Sequence, residues 1–77
     1  MSSITIDEIK KMVGLQLGVR AVNEHDRIVE DLGAESADVA NLVAAVEERY
    51  HIGIKESEIA RIFTPNDLFE LVRSRTQ

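Results

Sequence analysis

Three kinds of residue in this chain could take part in chemistry: one well-placed serine, two histidines and a group of carboxylates. Ser36 follows the glycine turn at Gly33 and lies between acidic residues, where an apolar-striped helix begins. A catalytic triad requires a histidine beside the serine and an acid that orients the histidine. His25 and His51 lie instead in two separate polar loops, so the sequence predicts two solvated histidines and no triad.

The acidic residues nearest to Ser36 could gather a divalent cation, but only weakly. They are Asp26, Glu30, Asp31, Glu35 and Asp38. A calcium loop has alternating oxygen ligands and a glycine at a fixed turn position, and these acids do not follow that pattern. We therefore expect adventitious cation binding at most, and no metal centre.

Ser36 has two possible roles. A serine at the amino end of a helix commonly caps it, because the side-chain oxygen accepts a backbone N–H, and position alone favours this role. A phosphate ester on the same hydroxyl would also be favoured, since it meets unpaired N–H groups and the positive end of the helix dipole. The surrounding acids would repel a free phosphate, so the site suits a basic partner enzyme better than spontaneous anion binding.

Size and composition restrict the function further. The chain has 77 residues and a mass of 8.6 kDa, which predicts one domain spanning residues 1–77. A chain of this size hides only about 60% of its unfolded surface, which argues against a deep catalytic cleft and hence against an enzyme. Cysteine is absent, so disulfides and thiolate zinc sites are excluded. The first residues show no secretion leader and no apolar run reaches membrane-spanning length, so we expect a cytoplasmic protein without membrane insertion.

The charge is concentrated in one part of the chain. The net charge of −5 argues against nucleic acid as a partner, because nucleic-acid binding depends on clustered lysine and arginine. Residues 30–58 contain eight acidic residues and two basic ones, a net charge of −6. Such a surface can steer basic partners at long range, or it can simply keep the protein soluble.

The spacing of apolar residues predicts four helical segments. Thr5 and Glu8 form a capping box for helix one, predicted over Ile6–Leu17 and ended by Gly18. A long polar loop follows, with three apolar residues as its expected anchors: Ile28, Val29 and Leu32. Helix two begins at Ser36, and its buried stripe is predicted to be Val39, Leu42, Val43, Val46 and Tyr50.

Two further helices complete the predicted fold. Ser57 is the expected cap of a short third helix that bears Ile59 and Ile62. Thr64, Pro65 and Asp67 form a start signal for the last helix, whose apolar side is Leu68, Phe69, Leu71 and Val72. The predicted fold class is therefore all-α: a four-helix bundle with three main helices, a short third helix and a long loop between helices one and two.

Several of these segments resemble one known family. The run Asp31-Leu32-Gly33-Ala34-Glu35-Ser36 closely resembles the "D-L-G-A-D-S" signature of acyl carrier proteins. The likeness covers nearly the whole chain: "LGV" at the end of helix one, "LVAAVEERY" within helix two and "IGI" before helix three each resemble the family's pattern.

The resemblance implies a carrier function centred on Ser36. It implies that this serine carries 4′-phosphopantetheine, transferred from coenzyme A by a magnesium-dependent phosphopantetheinyl transferase, and that acyl groups are held on the arm as thioesters. The partners implied are that transferase and the acyl synthases, ligases or acyltransferases that dock on the acidic face of helix two, with the carrier itself a monomer. The residues implied for partner recognition are Asp31, Glu35, Ala37, Asp38, Ala44, Glu47 and Glu48. Those implied to line a cavity for the acyl chain are Val39, Leu42, Val46, Ile54, Ile59, Ile62 and Leu68.

The chain departs from the family pattern at four positions. Ala37 replaces a leucine or methionine, Ala44 replaces a large apolar residue, Arg49 interrupts an acidic run, and Glu35 replaces an aspartate. Ala44 either enlarges the cavity or faces a partner. These differences indicate a specialised fatty-acid, lipid or polyketide pathway. Two alternatives remain open: a carrier of aminoacyl or peptidyl groups, and an unmodified helical module that uses its acidic face only for binding.

Overall fold

The computed structural model describes residues 4–76, and this part of the chain forms four helices and no strand. They are α1 (Ile6–Leu17), α2 (Ser36–Tyr50), α3 (Glu56–Ile59) and α4 (Pro65–Thr76). The predicted all-α class, with a short third helix and a long loop between the first two helices, is confirmed. The expectations for the start of the chain and for a domain over residues 1–77 lie partly outside the described residues. No helix within residues 4–76 is long and apolar enough to cross a membrane.

Helix α1 begins and ends at the predicted residues. The hydroxyl of Thr5 accepts the backbone N–H of Glu8 at 3.2 Å, which satisfies one of the free donors at the helix start. Gly18 ends the helix in the left-handed conformation, with φ of 69°. The face with Ile9 and Val13 is fully buried, and α1 packs against both α2 and α4.

The long loop between α1 and α2 contributes to the core, but not with all of the predicted anchors. Ile28 is 1% exposed and Leu32 is half-buried, as expected. Val29 was predicted to be an anchor, and this prediction is wrong because its side chain is 56% exposed. The backbone N–H of Ile28 donates to the carbonyl of Phe63 at 2.8 Å, which turns Ile28 inward and leaves its neighbour on the outside of a turn.

Helix α3 begins two residues earlier than a cap at Ser57 predicts, because Lys55 is the residue at its cap position. The carboxylate of Glu58 accepts the backbone N–H of Lys55 at 2.9 Å, so an acid in the first turn stabilises this helix start. Ile62 lies beyond the end of the helix, and no residue of α3 is buried. The guanidinium of Arg75, near the end of α4, donates to the Gly53 carbonyl at 2.7 Å and to the Glu58 carboxylate. These bonds attach α3 to the end of α4.

The predicted start of α4 is confirmed, and its hydrogen bonds form a complete capping box. The hydroxyl of Thr64 accepts the backbone N–H of Asp67 at 3.1 Å, and the carboxylate of Asp67 accepts the N–H of Thr64 at 3.1 Å. The same carboxylate also accepts the N–H of Phe63 at 3.0 Å. Pro65 occupies the first helical position, where its missing N–H costs nothing.

Candidate functional site

The loop that leads to Ser36 is held in one conformation by its own backbone. The N–H of Gly33 donates to the carbonyl of Val29 at 3.1 Å, and the N–H of Ala34 donates to that of Ile28 at 3.1 Å. Gly33 has φ of 74°, a left-handed conformation that a side chain disfavours. Ala34 is buried, with 5% of its surface exposed. The chain therefore enters α2 from a fixed direction.

Ser36 is the first residue of α2 rather than its cap, so the capping role considered above is wrong. Glu35 is the capping residue, because its backbone is still extended (φ −96°, ψ 170°). The carboxylate of Asp38 accepts the N–H of Glu35 at 2.9 Å and so stabilises the helix start. The Ser36 side chain is exposed, and its hydroxyl makes no hydrogen bond to any residue within 4–76. This hydroxyl is therefore accessible from solvent.

The carboxylate of Asp31 is held in place by Arg27, four residues earlier in the chain. This carboxylate accepts the backbone N–H of Arg27 at 2.8 Å and lies 3.5 Å from the guanidinium nitrogen Nε of the same residue. The hydrogen bond from the Arg27 backbone is the largest cause and lowers the pKa of Asp31. Desolvation opposes it and is the second-largest cause, while the side-chain hydrogen bond and the charge of Arg27 lower the pKa further. The charge of Asp31 is therefore fixed in position before any partner arrives.

The two adjacent glutamates near the end of α2 have different surroundings. Glu47 is half-buried, and its carboxylate accepts the N–H of Ile54 at 2.9 Å, which closes the loop between α2 and α3. Glu48 is exposed and forms neither a hydrogen bond nor an ion pair within the described residues. Arg49, which interrupts the acidic run, lies 3.5 Å from the carboxylate of Glu8 on α1.

The seven residues expected to line an acyl cavity belong to one apolar cluster. Five are buried and two are partly buried; they are Leu42, Val46, Ile54, Ile62 and Leu68, with Val39 and Ile59. Ala37 and Ala44 lie outside this cluster, because both are exposed on the surface of α2. Ala44 therefore faces outward and does not enlarge the interior.

The histidines lie where the sequence predicts. His25 and His51 are both exposed, and His51 ends α2 with φ of 56°. Within residues 4–76, no group of three or more acids and histidines is arranged to hold a metal ion.

Two large apolar side chains outside the helices are exposed, which the sequence did not predict. Phe63 is 60% exposed and Val29 is 56% exposed, and the hydrogen bond between Ile28 and Phe63 brings their segments together. A valine and a phenylalanine beside other apolar residues give no sequence signal that distinguishes an exposed position from a buried one. The third large exposed apolar side chain among the described residues, Leu15 at 75%, is on α1.

A helical bundle with an unengaged serine hydroxyl at the start of its second helix has the form of a carrier domain, to which a prosthetic group is attached. In agreement, the family model described as a phosphopantetheine attachment site matches residues 7–72. An acyl carrier protein from Wolinella succinogenes is 41% identical over 70 residues, which cover 88% of this chain and 92% of that protein. Another from Campylobacter fetus subsp. fetus is 40% identical over 68 residues, covering 86% and 88%. The chain belongs to the acyl carrier protein family.

The fold agrees with this assignment. A solved structure of a candidate acyl carrier protein from Mycobacterium tuberculosis superposes with a TM-score of 0.85, covering 91% of this chain and 96% of that one at 22% identity. Acyl carrier proteins are carriers and not catalysts, which confirms the prediction that the chain is not an enzyme. Family membership implies a covalently attached 4′-phosphopantetheine and interaction with a phosphopantetheinyl transferase and with synthases.

Proposed function

We propose that Ser36 is the residue that carries 4′-phosphopantetheine, and that the whole chain is a single carrier domain acting as a monomer in the cytoplasm. The observation that carries this proposal is the position of the hydroxyl: it is exposed, makes no hydrogen bond within residues 4–76, and lies at the first residue of α2. The first N–H groups of a helix and its dipole favour a phosphate at this position. Ser36 therefore offers both access for the transferase and a favourable site for the phosphodiester.

The acidic surface beside Ser36 supports docking of basic enzymes. Glu35 and Glu48 are exposed on or beside α2. Asp31, Asp38 and Glu47 each accept a backbone N–H, so their charges are held in place without the entropy cost of ordering free side chains on binding. We propose that these acids attract the transferase and the synthases, ligases or acyltransferases that act on the carried group. Such docking is weak, fast and sensitive to salt.

The apolar cluster beneath α2 is the proposed location of a carried acyl chain. The prosthetic group supplies a terminal thiol on which an acyl group is held as a thioester. The chain's own contribution is to exclude water with the residues around Leu42, Val46 and Leu68, which are at most 1% exposed. Tethering at Ser36 also raises the effective concentration of the acyl group at a docked enzyme.

The small residues Ala37 and Ala44 support a specialised fatty-acid, lipid or polyketide pathway. Both are exposed on α2, beside the acids proposed for docking. An enzyme that grips a large apolar side chain at either position would lose that contact here, because alanine buries much less apolar surface. The partner enzymes of this carrier are therefore expected to differ from those of carriers with leucine or methionine at these positions.

Intact-protein mass spectrometry tests the attachment site. Incubation with coenzyme A, magnesium and a broad-specificity phosphopantetheinyl transferase should add one phosphopantetheine mass to the wild type and none to Ser36→Ala. Ser57→Ala is the matched control, because Ser57 is also an exposed serine in the first turn of a helix, α3, and this variant should gain the full mass. No gain by the wild type, or an equal gain by Ser36→Ala, would refute the proposal.

The same measurement on protein from its native host tests the two alternatives. An amino acid on the arm would identify an aminoacyl carrier. A chain that stays unmodified in its host while remaining bound to a partner would identify an interaction module.

A further inference from the structure

A surface depression of about 940 Å³ lies between the exposed face of α1 and the loop that follows this helix, and we call it the α1 depression. Its lining includes three basic residues and one acidic residue: Lys10, Lys11, Arg20 and Asp26. The rest of the lining is apolar apart from Asn23, and no residue of α2 contributes to it. A chain with a net charge of −5 thus has a concave surface on which cations predominate.

The cations of the α1 depression are not neutralised by neighbouring acids. Lys10, Lys11 and Arg20 form no ion pair with any residue within 4–76. Four arginines elsewhere each pair with a carboxylate: Arg27, Arg49, Arg73 and Arg75. The carboxylate of Asp26, the one acid in the lining, instead accepts the backbone N–H of Asn23 at 2.9 Å. The depression therefore retains positive charge that an acidic partner can neutralise.

An exposed leucine lies among these cations. Leu15 is 75% exposed, more than any other large apolar side chain within residues 4–76, and it lines the same depression. Lys11 and Leu15 are four residues apart on α1, so they are neighbours on the surface of the helix. Covering Leu15 would remove apolar surface from water, which favours binding. Cations around an apolar side chain fit a partner segment in which carboxylates flank an apolar side chain.

The floor of the depression is formed before any partner binds. The N–H of Val19 donates to the carbonyl of Gly14 at 2.9 Å, which holds the loop against the end of α1. A Cβ at Gly14 would lie 2.8 Å from the carbonyl oxygen of Val19 and 3.5 Å from Cγ2 of Val22, so only glycine allows this close approach. A partner therefore docks on an ordered surface without the entropy cost of ordering the loop.

We propose that the α1 depression is a docking surface for an acidic segment of a partner protein, with an apolar side chain of that segment placed against Leu15. This goes beyond the function proposed above, in which basic enzymes dock on the acids of α2. The net charge of −5 does not prevent it, because charges more than about 8 Å away are largely screened at physiological ionic strength and the cations lie in the lining itself. A small molecule fits less well, since small-ligand sites enclose most of their ligand and this depression is open. A flat bilayer surface would not fill a concave site.

An NMR titration of the full, unmodified chain tests the proposal. The probe is a blocked synthetic peptide that alternates pairs of glutamate and leucine. It should shift the amide signals of Gly14, Gly18 and Val22 and leave those of α2 unchanged, and its affinity should fall as salt is raised. The same peptide with lysine in place of glutamate should not shift these signals. A peptide with glutamine in place of leucine should bind about fivefold more weakly, because it has no apolar side chain to cover Leu15.

Two double variants with the same net charge separate the depression from charge in general. Lys10→Gln combined with Lys11→Gln should weaken peptide binding about three- to tenfold, since each exposed charge pair contributes modestly. The matched control combines Lys55→Gln and Arg61→Gln. These two basic residues are also unpaired within 4–76 but do not line the depression, so the control should bind like the wild type. Leu15→Ala should weaken binding about fivefold. Circular dichroism establishes that each variant is folded.

Three outcomes overturn the inference. The first is a peptide that leaves the amide signals around Gly14 unchanged. The second is an equal loss of affinity in the two double variants, which would show that net charge alone matters. The third is binding of anionic phosphatidylglycerol vesicles through Lys10 and Lys11 without binding of the peptide, which would assign the depression to a membrane surface. Because the unmodified chain is used, failure of the Ser36 proposal would leave these measurements unaffected.

Discussion

Replacing Glu47 with alanine should destabilise the fold, although an identical change at the adjacent Glu48 should not. The Glu47 carboxylate accepts the N–H of Ile54, a residue that is only 9% exposed. Removing the acceptor leaves this nearly buried donor without a partner, which costs about 1–3 kcal/mol. A chain of this length has a total unfolding free energy of roughly 4–12 kcal/mol, so the loss is a large fraction of it.

Urea unfolding followed by circular dichroism measures the unfolding free energy of each variant. In thermal unfolding, the expected loss for Glu47→Ala corresponds to a drop in melting temperature of about 5–20 °C. Glu47→Gln retains a side-chain oxygen that can accept the same N–H, so it should recover at least half of the loss. Glu48→Ala removes an exposed carboxylate that forms no hydrogen bond or ion pair within residues 4–76, and this variant should stay within about 0.5 kcal/mol of the wild type.

The outcome shows whether Glu47 stabilises the fold through its hydrogen bond or only adds charge to the acidic surface. If Glu47→Ala unfolds with the stability of the wild type, or if Glu48→Ala is equally destabilised, then the loop closure between α2 and α3 does not depend on this hydrogen bond. The reasoning from burial would then be refuted for this site.

Three further predictions concern other local contacts. Gly33→Ala should lower the unfolding free energy by about 1–2 kcal/mol because φ is positive there, whereas Gly53→Ala, which meets nothing within 4 Å, should change it little; equal losses in urea unfolding would contradict this. Asp67→Ala removes the acceptor of two backbone N–H groups and should cost about 1–2 kcal/mol in the same assay, and a loss below 0.5 kcal/mol would be inconsistent with the observed cap. NMR titration of the Asp31 carboxyl should give a pKa below 3.8. The ionised form therefore stabilises the fold at higher pH, and this stabilisation is lost as pH falls through the lowered pKa. Because the Arg27 backbone is the largest cause, Arg27→Ala should retain most of that shift, and a return to the ordinary value would show that the side chain is responsible.

The helices were largely predictable because their signals are local. Thr5 and Glu8 at the start of α1, Gly18 at its end, and Thr64 with Asp67 at the start of α4 all act within a few residues of sequence. Periodic apolar positions likewise identified the cluster beneath α2. Helix caps and periodic apolar positions are formed by residues close together in the sequence, so the sequence alone can identify them.

The predicted caps of α2 and α3 were wrong because two nearby residues could each stabilise the helix start. At the start of α2 the cap is Glu35 and not Ser36, and at the start of α3 Glu58 rather than Ser57 supplies the stabilising oxygen. A shift of one residue in the start of α2, and of two residues in the start of α3, decides which side chain stabilises the helix end. Val29 was misplaced for a different reason: whether it or Ile28 turns inward depends on a hydrogen bond to Phe63, more than thirty residues away.

The attachment of α3 by Arg75 has a consequence for the rate at which the interior can be reached. α3 has four residues, none of them buried, and the hydrogen bonds from Arg75 to Gly53 and Glu58 tie it to α4. Few buried contacts mean a low free energy of local opening, so the amide hydrogens of α3 should exchange with solvent earlier than those of α1 or α2. Opening here would separate Ile59 and its neighbours from the rest of the apolar cluster. If the proposed acyl chain enters between α3 and the apolar cluster, its rate of entry should depend on how often Arg75 releases Gly53 and Glu58.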